Sequence, residues 1–230
     1  MRRIIVDSGS SIKIAEKEKY GVDILPIRLQ MGEESFLDGV DLSADEFYRR
    51  LKGSSQFPKT SLPSLEETQN LVDSYTSQGD EVLIITISSG ISGTYQTLKM
   101  LFDEYENVVV FDSQLAVGGI RFLVEEAIRY QKESMEVVIE KLNKLLPRIV
   151  IAAVPETLDY LLAGGRLSKS SWMVGTLLSI NPIITFIDGK VEVLTKKRGI
   201  KQSKKAIVEM IQKDQADKSI GDPMRLGLFM

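Results

Sequence analysis

The chain has 230 residues, a net charge of −3, 43% hydrophobic residues and 27% charged residues, the balance of an ordinary globular protein. It contains neither cysteine nor histidine. That excludes thiol nucleophiles, disulfides, imidazole bases and most zinc or iron sites, and leaves only oxygen-ligand metals such as magnesium.

Arg3–Asp7 reads as a short apolar strand entered directly from Met1, which leaves no room for a signal peptide and implies a cytoplasmic protein. No apolar run reaches the roughly 18 residues of a membrane span, so no stable membrane insertion is expected. Val22–Leu29 is a second strand, and Pro26 suits it to an edge because proline cannot donate to a ladder. Asp41–Leu51 reads as a helix with Ser43 as cap and Glu46 three residues on. After a polar loop over Gly53–Lys59, Ser64 caps another helix that runs to about Thr76. Glu81–Ile87 is almost continuously apolar and β-branched, as a strand buried on both faces should be. A helix over Tyr95–Tyr105, a strand over Val108–Phe111 and a long helix over about Gly118–Gln131 complete the alternation. Such an order predicts an α/β fold with a parallel sheet flanked by helices, whose ligands bind at the carboxyl ends of the strands.

Further on, Met135–Leu146 is helical, Arg148–Val154 reads as a strand and Thr157–Leu162 as a short helix ending at Gly164-Gly165. Ser168–Ile180 is helical in pattern and carries the only tryptophan. Asp188-Gly189 between two apolar runs, Ile183–Ile187 and Lys190–Thr195, is a hairpin signature. Lys201–Gln212 is an amphipathic helix with Ala206, Ile207, Met210 and Ile211 on its apolar side. The change from buried parallel strands to a hairpin predicts two domains, 1–148 with the ligand loops and a second, smaller α/β domain over 149–230.

Hydroxyl-rich loops are the best candidate sites. Ser88–Thr94 (SSGISGT) combines two glycines with Ser89, Ser92 and Thr94 before a helix, and the unpaired amides at a helix start favour an anion. It is either a binding loop or an ordinary capped strand-to-helix turn, and it lacks the lysine of a P-loop. Thr60-Ser61-Leu62-Pro63-Ser64 is a second such cluster, with the same two readings, and Pro63 keeps Leu62 extended. Neither looks like a hydrolase, since an attacking serine needs a base beside it; a Ser-Lys pair at Ser168-Lys169 or Lys169-Ser170 is the one conceivable exception. Asp7, Asp112 and Asp188 fit turn caps better than a magnesium site. Arg166, in the glycine-flanked turn Gly164–Lys169, has the planar fork that clamps a carboxylate or phosphate, or makes a surface salt bridge. The basic strip Lys196-Lys197-Arg198 with Lys201, Lys204 and Lys205 is a solvated face or a docking surface for an acidic protein. With that net negative charge and no aromatics interleaved in the strip, no nucleic-acid partner is expected.

Five segments occur together in order: IVDSGSSI at Ile5–Ile12, KTSLPS at Lys59–Ser64, SSGISGTY at Ser88–Tyr95, VFDS at Val110–Ser113 and LLAGGRLSK at Leu161–Lys169. In combination they resemble the DegV family of bacterial fatty-acid-binding proteins. The resemblance implies a non-enzymatic, cytoplasmic carrier without cofactor or metal. It would hold a long-chain fatty acid in an apolar tunnel and present it to a separate kinase subunit for phospholipid metabolism. It places the family's carboxylate-binding threonine on Thr60, with Ser61 beside it, its partner serine on Ser92 with the adjacent Gly93 amide, and its arginine on Arg166. The family pattern also has a histidine in a glycine-rich closing segment. This chain has no histidine, and Ser219–Met230 does not match, so the second domain is expected to be altered or incomplete and to have lost one carboxylate contact. The alternatives are a small-molecule hydrolase or phosphotransferase using the Ser/Gly loops, and a non-functional remnant.

Overall fold

The computed structural model describes residues 1–54, 56–167 and 180–217. The chain divides into two compact units, Met1–Ile149 and Val150–Met230. In chain order the first holds β1 (Arg2–Asp7), α1 (Lys17–Tyr20), β2 (Val22–Leu25), β3 (Arg28–Met31), β4 (Glu34–Leu37), α2 (Ala44–Gly53), β5 (Lys59–Ser61), α3 (Leu65–Thr76), β6 (Glu81–Thr86), α4 (Thr94–Leu101), β7 (Val108–Asp112), α5 (Gly118–Arg129) and α6 (Met135–Leu145).

Four of these strands form a parallel sheet in the order β2-β1-β6-β7. Alternate residues of β1 and β6 face opposite layers of helix, so both strands are apolar almost without a break. Ile5, Val82 and Ile84 pack with Val72, Leu98 and Phe102 of the α3–α4 layer. Ile120, Leu123 and Val124 of α5 and Val138 and Leu142 of α6 are buried in the other layer, with α5 on β1 and α6 on α5. The parallel α/β architecture expected from the alternation of strands and helices is the one observed.

Capping follows the side chains. Ser43 Oγ accepts from Glu46 N at 3.3 Å and Ser64 Oγ from Glu67 N at 3.3 Å, each stopping an orphan amide at a helix start. Ser64→Ala is therefore expected to cost about 1 kcal/mol, read as a small drop in the urea midpoint with α3 still formed.

Three expectations change. The strand expected over Val22–Leu29 is two strands: Pro26 cannot continue the ladder, and Ile27 N turns to donate to Ser8 Oγ at 3.2 Å. The chain then enters a small antiparallel sheet, β4-β3-β5, which was not anticipated because its strands are short, polar and mostly exposed. The helix expected to reach Tyr105 stops at Leu101, after which Tyr105 packs edge-on against Phe102 and donates to Asp73.

The second unit contains α7 (Asp159–Ala163), β8 (Ile180–Ile187), β9 (Lys190–Arg198) and α8 (Ile200–Asp217). β8 and β9 form the expected hairpin, with Asp188 at φ 49° and Gly189 at φ 76° in the tight turn. α8 packs on both strands, burying Ala206 and seating Ser203 Oγ on the Asn181 carbonyl at 2.8 Å. Arg148–Val154 does not form the expected strand. Leu146–Arg148 is a 3-10 turn, Val150 is 68% exposed, and only Ala153 pairs, exchanging two hydrogen bonds with Ile184. An apolar β-branched run becomes a strand only where a partner lies along its length. The helix expected over Ser168–Ile180 lies outside the described residues except for Ile180, which begins β8. Among the described residues no helix is long and apolar enough to cross a membrane.

Candidate functional site

The loops after β1, β6 and β7 meet at the carboxyl end of the parallel sheet and are tied to one another through backbone and carboxylate. Asp7, the last residue of β1, accepts from Gly9 N at 2.9 Å and from Ile87 N, beyond the end of β6, at 2.7 Å. A Cβ at Gly9 would lie 2.8 Å from both Asp7 Oδ1 and Ile87 Cδ1, so a side chain there would have to displace one of them. The Gly9 carbonyl in turn accepts from Val117 N at 2.8 Å, beside the start of α5. Ser88 N donates to the Leu115 carbonyl at 2.8 Å, and Asp112 accepts from Ser89 N and Gln114 N, both at 3.0 Å. Asp7 and Asp112 thus bind loop amides, as turn caps do. Asp7 also does what its position in the sequence did not reveal, which is to fasten the first loop to the third strand of the sheet.

Burial pushes the Asp7 carboxyl up to about 6 from an ordinary 3.8, against the two amide bonds that pull it down. The native state therefore keeps a proton that the unfolded chain releases. The stability this contributes is fully present below pH 3.8 and is lost as the pH rises through about 6, a loss of about 3 kcal/mol at the usual conversion. Asp7→Asn should remove that component: its urea midpoint, relative to the wild type, should rise between pH 4 and pH 6. It should still be the less stable protein at low pH, because an amide nitrogen cannot accept from one of the two N–H groups.

The platform carries two hydroxyl-bearing segments side by side. Ser92 and Gly93 form the turn into α4. Ser92 N donates to the Ser88 carbonyl at 3.1 Å, and Ser92 Oγ accepts from Thr94 N at 3.2 Å and shares a 2.8 Å hydrogen bond with Thr94 Oγ1. When the buried Thr94 hydroxyl donates in that pair, the Ser92 proton is left to donate outward. Gly93 caps α4 without a side chain, so apart from the Thr94 amide, which Ser92 Oγ takes, the first helical turn presents the positive end of the helix. Leu62 Cδ2 lies 3.9 Å from the position of a Cβ on Gly93, which sets the Thr60–Ser64 segment against this turn. Thr60 and Ser61 sit on β5, paired with Leu29 and Arg28 of β3, and both are exposed. Among the described residues neither hydroxyl has a hydrogen-bond partner, whereas Ser64 is occupied as the cap of α3.

Arg166 belongs to the second unit. It follows α7 in a turn where Gly165 N and Arg166 N donate to the carbonyls of Leu162 and Leu161, and its guanidinium donates to the Gly164 carbonyl. Lys197, Arg198, Lys201, Lys204 and Lys205 are exposed on β9 and α8. Ser168, Lys169 and Ser170 lie outside the described residues. Among the described residues no group of three or more carboxylates gathers to hold a metal ion.

The model of the family described as "Uncharacterised protein, DegV family" matches residues 1–224. This chain belongs to the DegV family. A curated DegV domain-containing protein of Clostridium acetobutylicum is 33% identical over 221 residues, which are 94% of this chain and 78% of that one. Two solved structures are comparably similar. A fatty-acid-binding DegV family protein of Streptococcus agalactiae superposes with a TM-score of 0.85 at 30% identity, over 95% of this chain and 80% of its own. A stearic-acid-binding protein of Eubacterium ventriosum superposes with a TM-score of 0.83 at 30% identity, over 94% and 78%. The DegV resemblance read from the five segments and the α/β fold are both upheld by these matches.

Proposed function

We propose that this DegV protein binds a long-chain fatty acid by its carboxylate and presents it, in the cytoplasm, to a separate fatty acid kinase subunit. The observation that carries the reading is the approach of Leu62 to within 3.9 Å of where a Cβ on Gly93 would stand, which sets the exposed Thr60 and Ser61 hydroxyls on a segment adjoining Ser92 and the amide end of α4. Hydroxyls and helix amides suit an acyl carboxylate because they neutralise it by hydrogen bonding without burying it under a cation. The names of the Streptococcus agalactiae and Eubacterium ventriosum proteins support the ligand class. Presentation to a kinase is the finer part of the reading and rests on the sequence resemblance.

In this reading Thr60, Ser61, Ser92 and the Gly93 amide hold the head group. The protein acts as a carrier and not a catalyst. Ser92 Oγ has the Thr94 amide and hydroxyl as partners, and neither is a base that would turn it into a nucleophile.

Native mass spectrometry of the protein as purified, followed by denaturation and lipid extraction, tests the proposal. One fatty acid per chain, transferable to acyl phosphate when a fatty acid kinase subunit and ATP are added, is the expected result. A folded protein that arrives empty and stays empty when offered fatty acids would overturn the binding reading. Bound fatty acid that no kinase subunit can phosphorylate would overturn only the presentation step.

A further inference from the structure

Among the described residues, the parallel sheet ends in an open edge. β7 is the outermost strand of the order β2-β1-β6-β7. The Asn107 carbonyl accepts from Val82 N of β6. Peptide groups alternate along a strand, so those of Val109 and Phe111 also face β6 and those of Val110 face away. The strand itself, Val108–Asp112, carries no proline and no lysine, the residues that usually guard an edge against pairing. Beside it runs a groove of about 600 Å³, whose apolar lining is Val109, Met135 and Ile139 and whose rim is Glu136, Glu140 and Lys144.

We propose that this edge and groove form an isologous interface, in which a second copy of the same chain sets its β7 antiparallel to β7 and its α6 beside α6. A two-fold axis normal to the sheet produces both contacts at once: it reverses strand and helix, and it keeps both copies of α6 on one face of a continuous eight-stranded sheet. The charges on α6 fit this operation. Its acidic residue Glu136 and its basic residue Lys144 lie at opposite ends of the groove, about 12 Å apart along the helix. Reversing the helix brings the acidic end of one copy to the basic end of the other. A parallel arrangement would oppose like charges instead. Glu140 and Lys144 pair within one helix, but both are exposed, so exchange of that pair across the interface costs little. At the centre, Ile139 of each copy would cover the groove of the other, and the Val110 amide and carbonyl would gain partners.

Sedimentation velocity of the full chain over a dilution series tests the interface. The expected result is a reversible monomer–dimer equilibrium. Val110→Pro, tolerated on an edge strand because it removes an outward amide, should weaken it at least about tenfold. Glu136→Lys and Lys144→Glu each place like charges across the axis, and each should raise the dissociation constant by about fivefold or more. The two substitutions in one chain should restore it. Both charge variants sit on an exposed helix face and leave the core intact, so their effect does not depend on how Val110→Pro folds. A chain that stays monomeric at every concentration overturns the proposal, as does a dimer indifferent to both single charge reversals.

Discussion

On the proposed reading, a Thr60→Ala/Ser92→Ala protein is expected to bind a fatty acid more weakly while keeping its fold. A hydrogen bond to a charged group contributes about 1.5–3 kcal/mol, so each lost hydroxyl should raise the dissociation constant by about 10- to 150-fold. Isothermal titration with a saturated fatty acid would measure this. Affinity should not vanish, because the acyl tail still contributes about 0.8 kcal/mol per buried methylene. The diagnostic result is a change in discrimination. The wild type should prefer a fatty acid strongly over the alcohol of equal chain length, and the double variant should scarcely distinguish them. Thr60 is exposed on β5 and leaves no buried group behind. Ser92→Ala frees the Thr94 amide and hydroxyl, so a modest fall in melting temperature is expected from that half alone. An equal loss of affinity for acid and alcohol would mean that the substitutions had weakened binding in general and not the recognition of a carboxylate.

Ile84→Ala is expected to be strongly destabilising. Ile84 is 0% exposed at the middle of β6, flanked in the sheet by β1 and β7, and packs in one cluster with Ile5, Val72, Leu98 and Phe102. Truncating a fully buried isoleucine typically costs about 2–5 kcal/mol, since transfer energy is lost and a cavity remains. Against a usual stability of about 5–15 kcal/mol that is a large fraction. With a urea slope of about 2 kcal/mol per molar, the midpoint followed by far-UV circular dichroism should fall by about 1–2.5 M. Because Ile84 precedes the Ile87–Gly93 loop, the variant should also loosen the platform beneath Ser92. A shift below about 0.5 M would mean that the core closes over the missing atoms.

Much of this architecture can be read before any folding. Glu81–Thr86 and Val108–Asp112 are legible because a strand covered on both faces must be apolar at every position, and that pattern is local. Ser43 and Ser64 are legible for a similar reason: an N-cap bonds an amide three residues on. The Asp188-Gly189 turn is legible because few residue pairs accept positive φ twice. In the apolar run after α6, the deciding partner was remote. Arg148–Val154 has the composition of a strand, but only Ala153 finds a partner, in Ile184. β3, β4 and β5 are short and polar, and they exist because they pair with one another.

The same division holds for the candidate site. The residue types at Thr60, Ser61, Ser92 and Gly93, and the absence of histidine and cysteine, already determine which chemistry the loops can offer: hydrogen bonds to an anion, without thiol or imidazole attack. Their order along the chain carries the family. Only tertiary structure decides that the Thr60–Ser64 segment lies against the Ser92–Gly93 turn, through Leu62, and that Asp7 fastens its own loop to Ile87. Side-chain chemistry and short-range capping are properties of neighbours in sequence. Contacts between residues thirty or eighty positions apart depend on how the whole sheet closes, and no local pattern encodes them.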